Sequence, residues 1–459
     1  DLPTERPVDV PLAPMQRRLW SVATAAPDST EYVMPFALRL RGELDREALR
    51  AALTDLVARH TSLRTVYPMG DGRPVARVLA DPAAVIGDLA PRETYDPSAA
   101  MARIAGRPFD LAEDAPLRAS LWRDISDRGD DDEHLLVLVV HHIAADGASL
   151  PTLVGDLIEA YRSRRAGRSQ RWDAAAIDYR DYALEMADDA DAQQDLPFWT
   201  NALADAPAET TIAGRRTSRD GSPHGPGTAG SVSAPIDAEL HAGLLRLARS
   251  RSTTPFSLLH TGLAILLNRL GVGRDVVIGT PVANREAPAG SARDYSGVIG
   301  MFVNTLALRT VVAPSESVSE LIARTRDDDL AALDRRSTPF DDVVAALNPE
   351  REPGRHPLFQ IALSVHDFAS GMTGDDLSMD DGLRLSASEI DAPTAKFDLQ
   401  FTVTGVHADA QRPRVTLTYD TDRYRHDDAD LLITRLLRVV RAMVCDPGRA
   451  VGDVRITDP

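Results

Sequence analysis

Val139-Val140-His141-His142-Ile143-Ala144-Ala145-Asp146-Gly147 is the stretch that settles both the fold class and the chemistry to look for. It follows Leu135 to Val140, an unbroken apolar run of the kind that forms a strand covered on both faces. Beyond it, from Ser149 to about Tyr161, Leu153, Leu157 and Tyr161 recur at helical spacing. The reading is a strand, a short glycine-containing turn and a helix. Neighbouring side chains on a strand point to opposite faces, so only one of His141 and His142 can face a given cavity. An imidazole at a strand end suits proton transfer near neutral pH. Asp146 needs a partner if it is buried. Gly147 allows a tight turn and close backbone approach to a ligand, and amides at the start of the next helix favour developing negative charge.

Other readings of these residues stay open at this level. A histidine pair beside an Asp-Gly turn is often only structural. It can also be half of a metal site, but no third ligand stands at a fitting spacing. There is no G-x-S-x-G elbow and no phosphate-cradling glycine loop. Gly147-Ala148-Ser149-Leu150 has a faint likeness to the serine site of a carrier protein, but such a helical carrier would not place an apolar strand and two histidines before it.

Working outward, Phe36 to Leu40 reads as a strand, and Asp45 caps a predicted helix through about Arg59 with Leu49, Leu53, Leu56 and Val57 on one stripe. The segment Thr210 to Ser231 is rich in Gly, Ser, Pro, Thr and Arg and reads as an exposed connection. Helices are predicted at Leu240–Leu247, Phe256–Leu270, Val318–Leu333 and Ala429–Val444. Strands are predicted at Val276–Gly279, Met301–Leu308, Phe359–Val365 and Leu399–Thr404. Asp375 to Asp391, acidic and poorly periodic, reads as a loop. The outcome is two α/β halves of similar content with no solenoid repeat.

A chain of 459 residues exceeds a single core, which points to two or three domains. With 43% hydrophobic and 26% charged residues the composition is that of an ordinary globular protein. No apolar run reaches the roughly 18–20 residues that span a bilayer, so no membrane partner is expected. Asp1 to Val10 lacks the basic and apolar regions of a secretion signal, and a cytoplasmic location fits. Cys445, the single cysteine, excludes an internal disulfide and is expected to be buried and inert on its apolar helix. A net charge of −18, from 69 acids against 51 bases, argues against a nucleic-acid surface. Both ends look cut, which is the expectation for a monomeric piece of a longer polypeptide.

The motifs, taken together, resemble one family. His141 to Gly147 is similar to the HHxxxDG signature of the condensation domains of nonribosomal peptide synthetases, relatives of chloramphenicol acetyltransferase. Leu12-Ala13-Pro14-Met15-Gln16-Arg17-Arg18-Leu19-Trp20 resembles the family's opening S-x-A-Q-x-R-L-W element. Arg59 to Thr65 resembles RHExLRT, Tyr179 to Ala183 resembles YxDYA, Ile299 to Thr305 resembles GxFVNT and Arg355 to Phe359 resembles R-x-PLF. These elements follow in the family's order over nearly the whole chain. Three departures stand out: Thr61 for a glutamate, small Ala148 for a bulky residue, and Arg336 to Asp341, where only Pro339-Phe340 of an HQDxPFE-like element is kept.

The resemblance implies an α/β fold of two acetyltransferase-like lobes in a V-shaped pseudo-dimer with a tunnel between them. Residues 1–175 would form the first lobe, 176–231 a connecting segment and 232–459 the second lobe. It implies His142 as the catalytic histidine, with His141 structural, Asp146 paired with Arg64, and Gly147 near the oxyanion. Asn304, Ala148 and Ser149 would contact substrate. Tyr179, Asp181, Arg17 and Trp20 would be structural. The implied reaction forms an amide between a carrier-bound acyl or peptidyl thioester and a carrier-bound aminoacyl acceptor. No metal or cofactor is implied for the domain itself; phosphopantetheine arms would come from upstream donor and downstream acceptor carrier proteins, beside an adenylation domain. An epimerisation domain, or a noncatalytic docking module of the same fold, is the alternative.

Overall fold

The computed structural model describes residues 7–87, 89–94, 96–124, 133–172, 177–187, 194–212, 228–286, 293–350, 355–365, 377–380, 382–388, 395–407 and 413–457. The chain divides into two compact units. The first comprises Asp1–Asp189, Ala283–Val303 and Gly371–Pro393, and the second Ala190–Val282, Asn304–Ser370 and Thr394–Pro459. This division differs from the three consecutive segments read from the sequence, because two pieces of the later chain belong to the first unit.

The first unit is built on a six-stranded sheet. Its order is Leu377–Asp380, Leu383–Ser388, Val33–Gly42, Glu133–His141, Leu117–Asp124 and Arg92–Thr94. All neighbours are antiparallel except the last pair, which is parallel. The apolar run of Glu133–His141 lies at the sheet's centre, and Leu136 to Val140 are fully buried, as continuous hydrophobicity demands. Its register places Val33 opposite His141 and Phe36 opposite Leu138. Helices Arg46–Arg59 and Leu150–Arg165 flank the sheet, and Asp45 caps the first by accepting from Ala48 N at 2.9 Å. Tyr161, fully buried on the second helix, accepts the Asp45 N–H on its Oη at 3.1 Å.

The loop expected at Asp375–Asp391 is, within the described residues, a pair of strands. Leu383–Ser388 joins the edge of Val33–Gly42, with Leu385 opposite Leu40. Met379, Leu383 and Leu385 are fully buried. Their alternation is a strand period that the surrounding acidic residues obscured. The connection read at Thr210–Ser231 falls largely outside the described residues, and its end, from Ala229, belongs to the strand Ala229–Pro235.

The second unit holds its own six-stranded sheet, ordered Val303–Val311, Asp275–Ala283, Ile361–Val365, Leu399–Thr404, Arg414–Asp420 and Ala229–Pro235. Ile361–Val365 runs parallel to both neighbours, while the last pairs are antiparallel. Helix Val318–Leu333 starts on a capping box, Ser317 and Glu320 bonding each other's backbone amides at 3.2 and 2.8 Å. Helix Pro255–Arg269 is buried continuously from Ser257 to Leu267, and helix His426–Cys445 packs beside it. Cys445 is exposed, a correction to the buried thiol expected from its apolar helix. It lies at the helix's last position, beyond the stripe that ends in buried Met443.

Gly279 shows how closely this second core is packed. A Cβ there would fall 1.9 Å from Cε2 of Phe359, itself fully buried. Gly279→Ala should therefore destabilise the chain by about 1–3 kcal/mol through overpacking, read as a lower midpoint in urea unfolding. Gly279→Ala combined with Phe359→Leu should recover part of that loss.

Candidate functional site

The site begins where the central strand of the first unit runs out. His141, 5% exposed, is its last residue; its Nδ1 accepts the Ile143 amide at 3.1 Å and its ring meets Phe109 edge-on at 5.8 Å. His142 is half-buried instead. Its backbone N–H donates to Tyr32 O at 2.8 Å, and its ring stands edge-on to Tyr32 with centroids 6.3 Å apart. The alternation of a strand thus separates the two histidines, one buried and one half-buried.

From Ile143 the turn plunges inward. Ile143, Ala144, Ala145 and Asp146 are fully buried, and only Gly147 and Ala148 return to half-burial before Ser149 is buried again. Across residues 142–149, then, His142, Gly147 and Ala148 are the ones left accessible.

Asp146 is the electrostatic centre of this turn. Oδ1 accepts from Ser149 N at 3.0 Å, from Ser149 Oγ at 2.9 Å and from Arg285 Nη2 at 2.5 Å; Oδ2 accepts from Phe302 N at 3.2 Å. Arg285 also donates to the carbonyls of Tyr295, Ser296 and Val298 at 3.1, 3.4 and 2.6 Å. Its guanidinium lies 4.4 Å over the Phe302 ring. One arginine therefore neutralises the buried carboxylate and gathers the chain around residues 295–302 onto the histidine turn.

This corrects the pairing of Asp146 with Arg64. Arg64 Nε donates to Val57 O at 3.1 Å and its Nη1 to Leu79 O, and burial lowers its basicity. It holds backbone carbonyls on another side of the unit. Arg285 carried no local signal, because the chain is rich in arginine and the partner sits 139 positions away.

Two of the residues assigned to substrate are likewise occupied by the fold. Ser149 Oγ accepts from Gly300 N at 3.2 Å and from Arg285 Nη2 at 3.0 Å, besides its contact with Asp146. Asn304, in the second unit, is fully buried. Its Nδ2 donates to Arg336 O and Thr338 O, both at 2.7 Å, and its Oδ1 accepts from Thr305 N and Phe340 N at 2.8 and 3.2 Å. With every amide position spent on backbone, it clamps the loop before helix Phe340–Leu347 and has none left for a ligand. Ala148 stays half-buried beside Gly147. Tyr179 Oη donates to Met301 O at 2.5 Å, and a Cβ on Gly300 would fall 2.0 Å from Tyr179 Cδ2, so that close approach requires glycine.

The arrangement offers one half-buried histidine, His142, on a hydrogen-bonded turn, a group able to take a proton or hold an attacking group. Among the described residues no group of three or more His, Cys, Asp or Glu is placed to hold a metal ion, and no helix is long and apolar enough to cross a membrane.

A sheet ending in a half-open histidine turn, repeated architecture in a second unit, and the ordered motifs define a class, and comparison with known proteins identifies it. The family model described as Condensation domain matches residues 8–459. The chain belongs to the condensation-domain family of nonribosomal peptide synthetases. It is 37% identical over 464 residues to a probable non-canonical nonribosomal peptide synthetase, CymA, of Salinispora arenicola, covering 99% of this chain and 6% of that protein. It is 36% identical over 470 residues to a dimodular nonribosomal peptide synthase of Bacillus subtilis, covering 99% and 19%. The chain thus spans a small part of these curated relatives' length. Among solved structures, the X-domain from teicoplanin biosynthesis is 32% identical with a TM-score of 0.85, covering 99% of each chain. The first condensation domain of the CDA synthetase is 24% identical with a TM-score of 0.77, covering 98% and 99%.

Proposed function

We propose that this chain forms an amide bond between a carrier-bound acyl or peptidyl thioester and a carrier-bound aminoacyl amine, with His142 as the working group. The observation that supports the reading is the contrast in exposure within the turn: His142 is half-buried, while His141 and Asp146 on either side of it are buried. The amine nitrogen attacks the thioester carbonyl, the new C–N bond forms, the C–S bond breaks, and the thiolate leaves. The proton lost by nitrogen passes to the departing thiolate by way of His142, acting as base or as the group that positions the amine. A thioester is already activated, so alignment of two tethered reactants supplies much of the rate. The accessible backbone at Gly147 and Ala148 is where the carbonyl oxygen would approach. Donor and acceptor carrier proteins bring both substrates on phosphopantetheine arms, next to an adenylation domain; the domain itself needs no further cofactor.

A second reading has a specific observation behind it. The chain resembles a solved X-domain at 32% identity, and an X-domain from the same biosynthesis has been solved in complex with OxyB. A docking module would recruit a partner enzyme to a carrier-bound peptide. It would have no use for a working histidine.

A single-turnover assay separates these. The chain is mixed with an acyl-loaded donor carrier and an aminoacyl-loaded acceptor carrier, and acceptor-bound product is read by intact-protein mass spectrometry. Product above the carriers-only control supports condensation. No product, together with retention of OxyB on the immobilised chain, favours docking. Inversion of a carrier-bound residue with no acceptor present favours epimerisation.

A further inference from the structure

We propose that Gln16 is a positioning residue for the histidine turn, fixing the carbonyl of the residue after His142; this rests on the reading of His142 as the working group. Gln16 lies on helix Pro14–Ala25 and is 2% exposed. Its Nε2 donates to Ile143 O at 3.0 Å and to Tyr67 Oη at 3.2 Å, and Tyr67 Oη itself lies 3.4 Å from Ile143 O. The amide's orientation is set from its other end, where Oε1 accepts the Ala13 N–H at 3.3 Å. Tyr67 is held in turn: its carbonyl accepts from Trp20 Nε1 at 2.9 Å and its N–H donates to Leu111 O at 2.6 Å. Burial pushes the Tyr67 phenol above its usual range, so it stays neutral and keeps its proton for hydrogen bonding.

The consequence for His142 follows from the peptide planes around it. The plane before His142 is pinned by its N–H on Tyr32 O, and the plane after it by the Ile143 N–H on His141 Nδ1. Ile143 O belongs to the next plane, and Gln16 with Tyr67 pins that one. Three successive planes are thus held by Tyr32, by the ring of neighbouring His141, and by Gln16 with Tyr67, which leaves the Cα–Cβ direction of residue 142 little freedom. An apolar residue at position 16 would leave a buried carbonyl wanting a donor, and the turn would pivot to find one.

The surroundings of Gln16 are polar in their own right. A cavity of about 10 Å³, room for roughly one water, is lined by Gln16, Ser62, Thr65, Tyr67 and Asp178. Ser62 is 4% exposed, and its Oγ has no hydrogen-bond partner among the described residues. A single water there would satisfy Ser62 and brace the Gln16–Tyr67 pair.

The test uses the whole chain with loaded donor and acceptor carriers. Gln16→Glu keeps the shape and the Ala13 bond but turns the donor into an acceptor facing Ile143 O. Gln16→Met removes both polar ends, and His142→Ala serves as reference. We expect kcat about ten- to hundredfold lower in both Gln16 variants, the scale of a small misplacement of a reacting group. KM for each carrier should stay within about threefold of wild type, with rates normalised to folded protein. In histidine-labelled protein the side-chain resonances of residue 142 should move, while those of His260, in the other unit, should not. Unchanged normalised kcat in both variants, or stationary residue-142 resonances, would overturn the proposal. Wild-type activity in His142→Ala would instead remove the catalytic reading of that histidine, and the resonances alone would then decide whether Gln16 positions it.

Discussion

Arg285→Ala should destabilise the chain by about 3–5 kcal/mol, the cost of stranding a buried charge, and should abolish condensation in the same step. Asp146 is fully buried and Arg285 is the cation that meets it, at 2.5 Å. Without the guanidinium the carboxylate keeps only Ser149 and the Phe302 amide, which are neutral donors. The carbonyls of Tyr295, Ser296 and Val298 lose their shared donor as well. Denaturant unfolding measures the loss. A double-mutant cycle then discriminates between the two arginines considered as the partner: Arg285→Ala and Asp146→Asn should be strongly non-additive, whereas Arg64→Ala and Asp146→Asn should add. Arg64→Ala alone should cost only about 1–2 kcal/mol, through its bonds to Val57 O and Leu79 O. Coupling of Asp146 to Arg64 rather than Arg285 would refute the geometry.

That pair also marks the limit of what was legible in the sequence. Local periodicity sufficed for helix Val318–Leu333, because its apolar positions recur along a single continuous segment, with Val318, Leu321, Ile322 and Ala332 buried. It gave the strand ending at His141, because six consecutive apolar residues admit few other environments. The charge argument required a partner for Asp146, and the family resemblance supplied Arg64; the partner in the structure is Arg285, a pairing that depends on how 139 intervening positions fold. The strand Leu383–Ser388 escaped for the same reason: its apolar residues make sense only beside Val33–Gly42, an element from the far end of the chain. Asn304 and Ser149 show a third limit. A polar residue in a recognised motif reads as a substrate contact, yet a side-chain amide or hydroxyl serves equally well to bind loose backbone, and the coordinates assign both to that task.

His142→Ala should lower the single-turnover rate by about 10²–10⁴-fold, the range that a positioned acid–base group contributes. It should leave stability within about 1 kcal/mol of wild type, because a half-buried ring surrenders little packing. His141→Ala should do the reverse. Its ring is 5% exposed, abuts Phe109 and accepts the Ile143 amide at 3.1 Å, so truncation opens a cavity and frees a buried donor. A loss of about 1–3 kcal/mol is expected there, with most of the rate per folded molecule retained. If the truncated groups act only on the chemical step, as the proposed reading requires, KM should move little in either variant and the difference should sit in kcat. Measuring both quantities for both residues makes the assignment a crossed comparison: the neighbour that alters stability should spare the chemistry, and the one that alters chemistry should spare stability. If the two histidines exchanged roles, His141 rather than His142 would be the working group; if both acted on stability alone, neither ring would take part in the reaction and the docking reading would stand in its place.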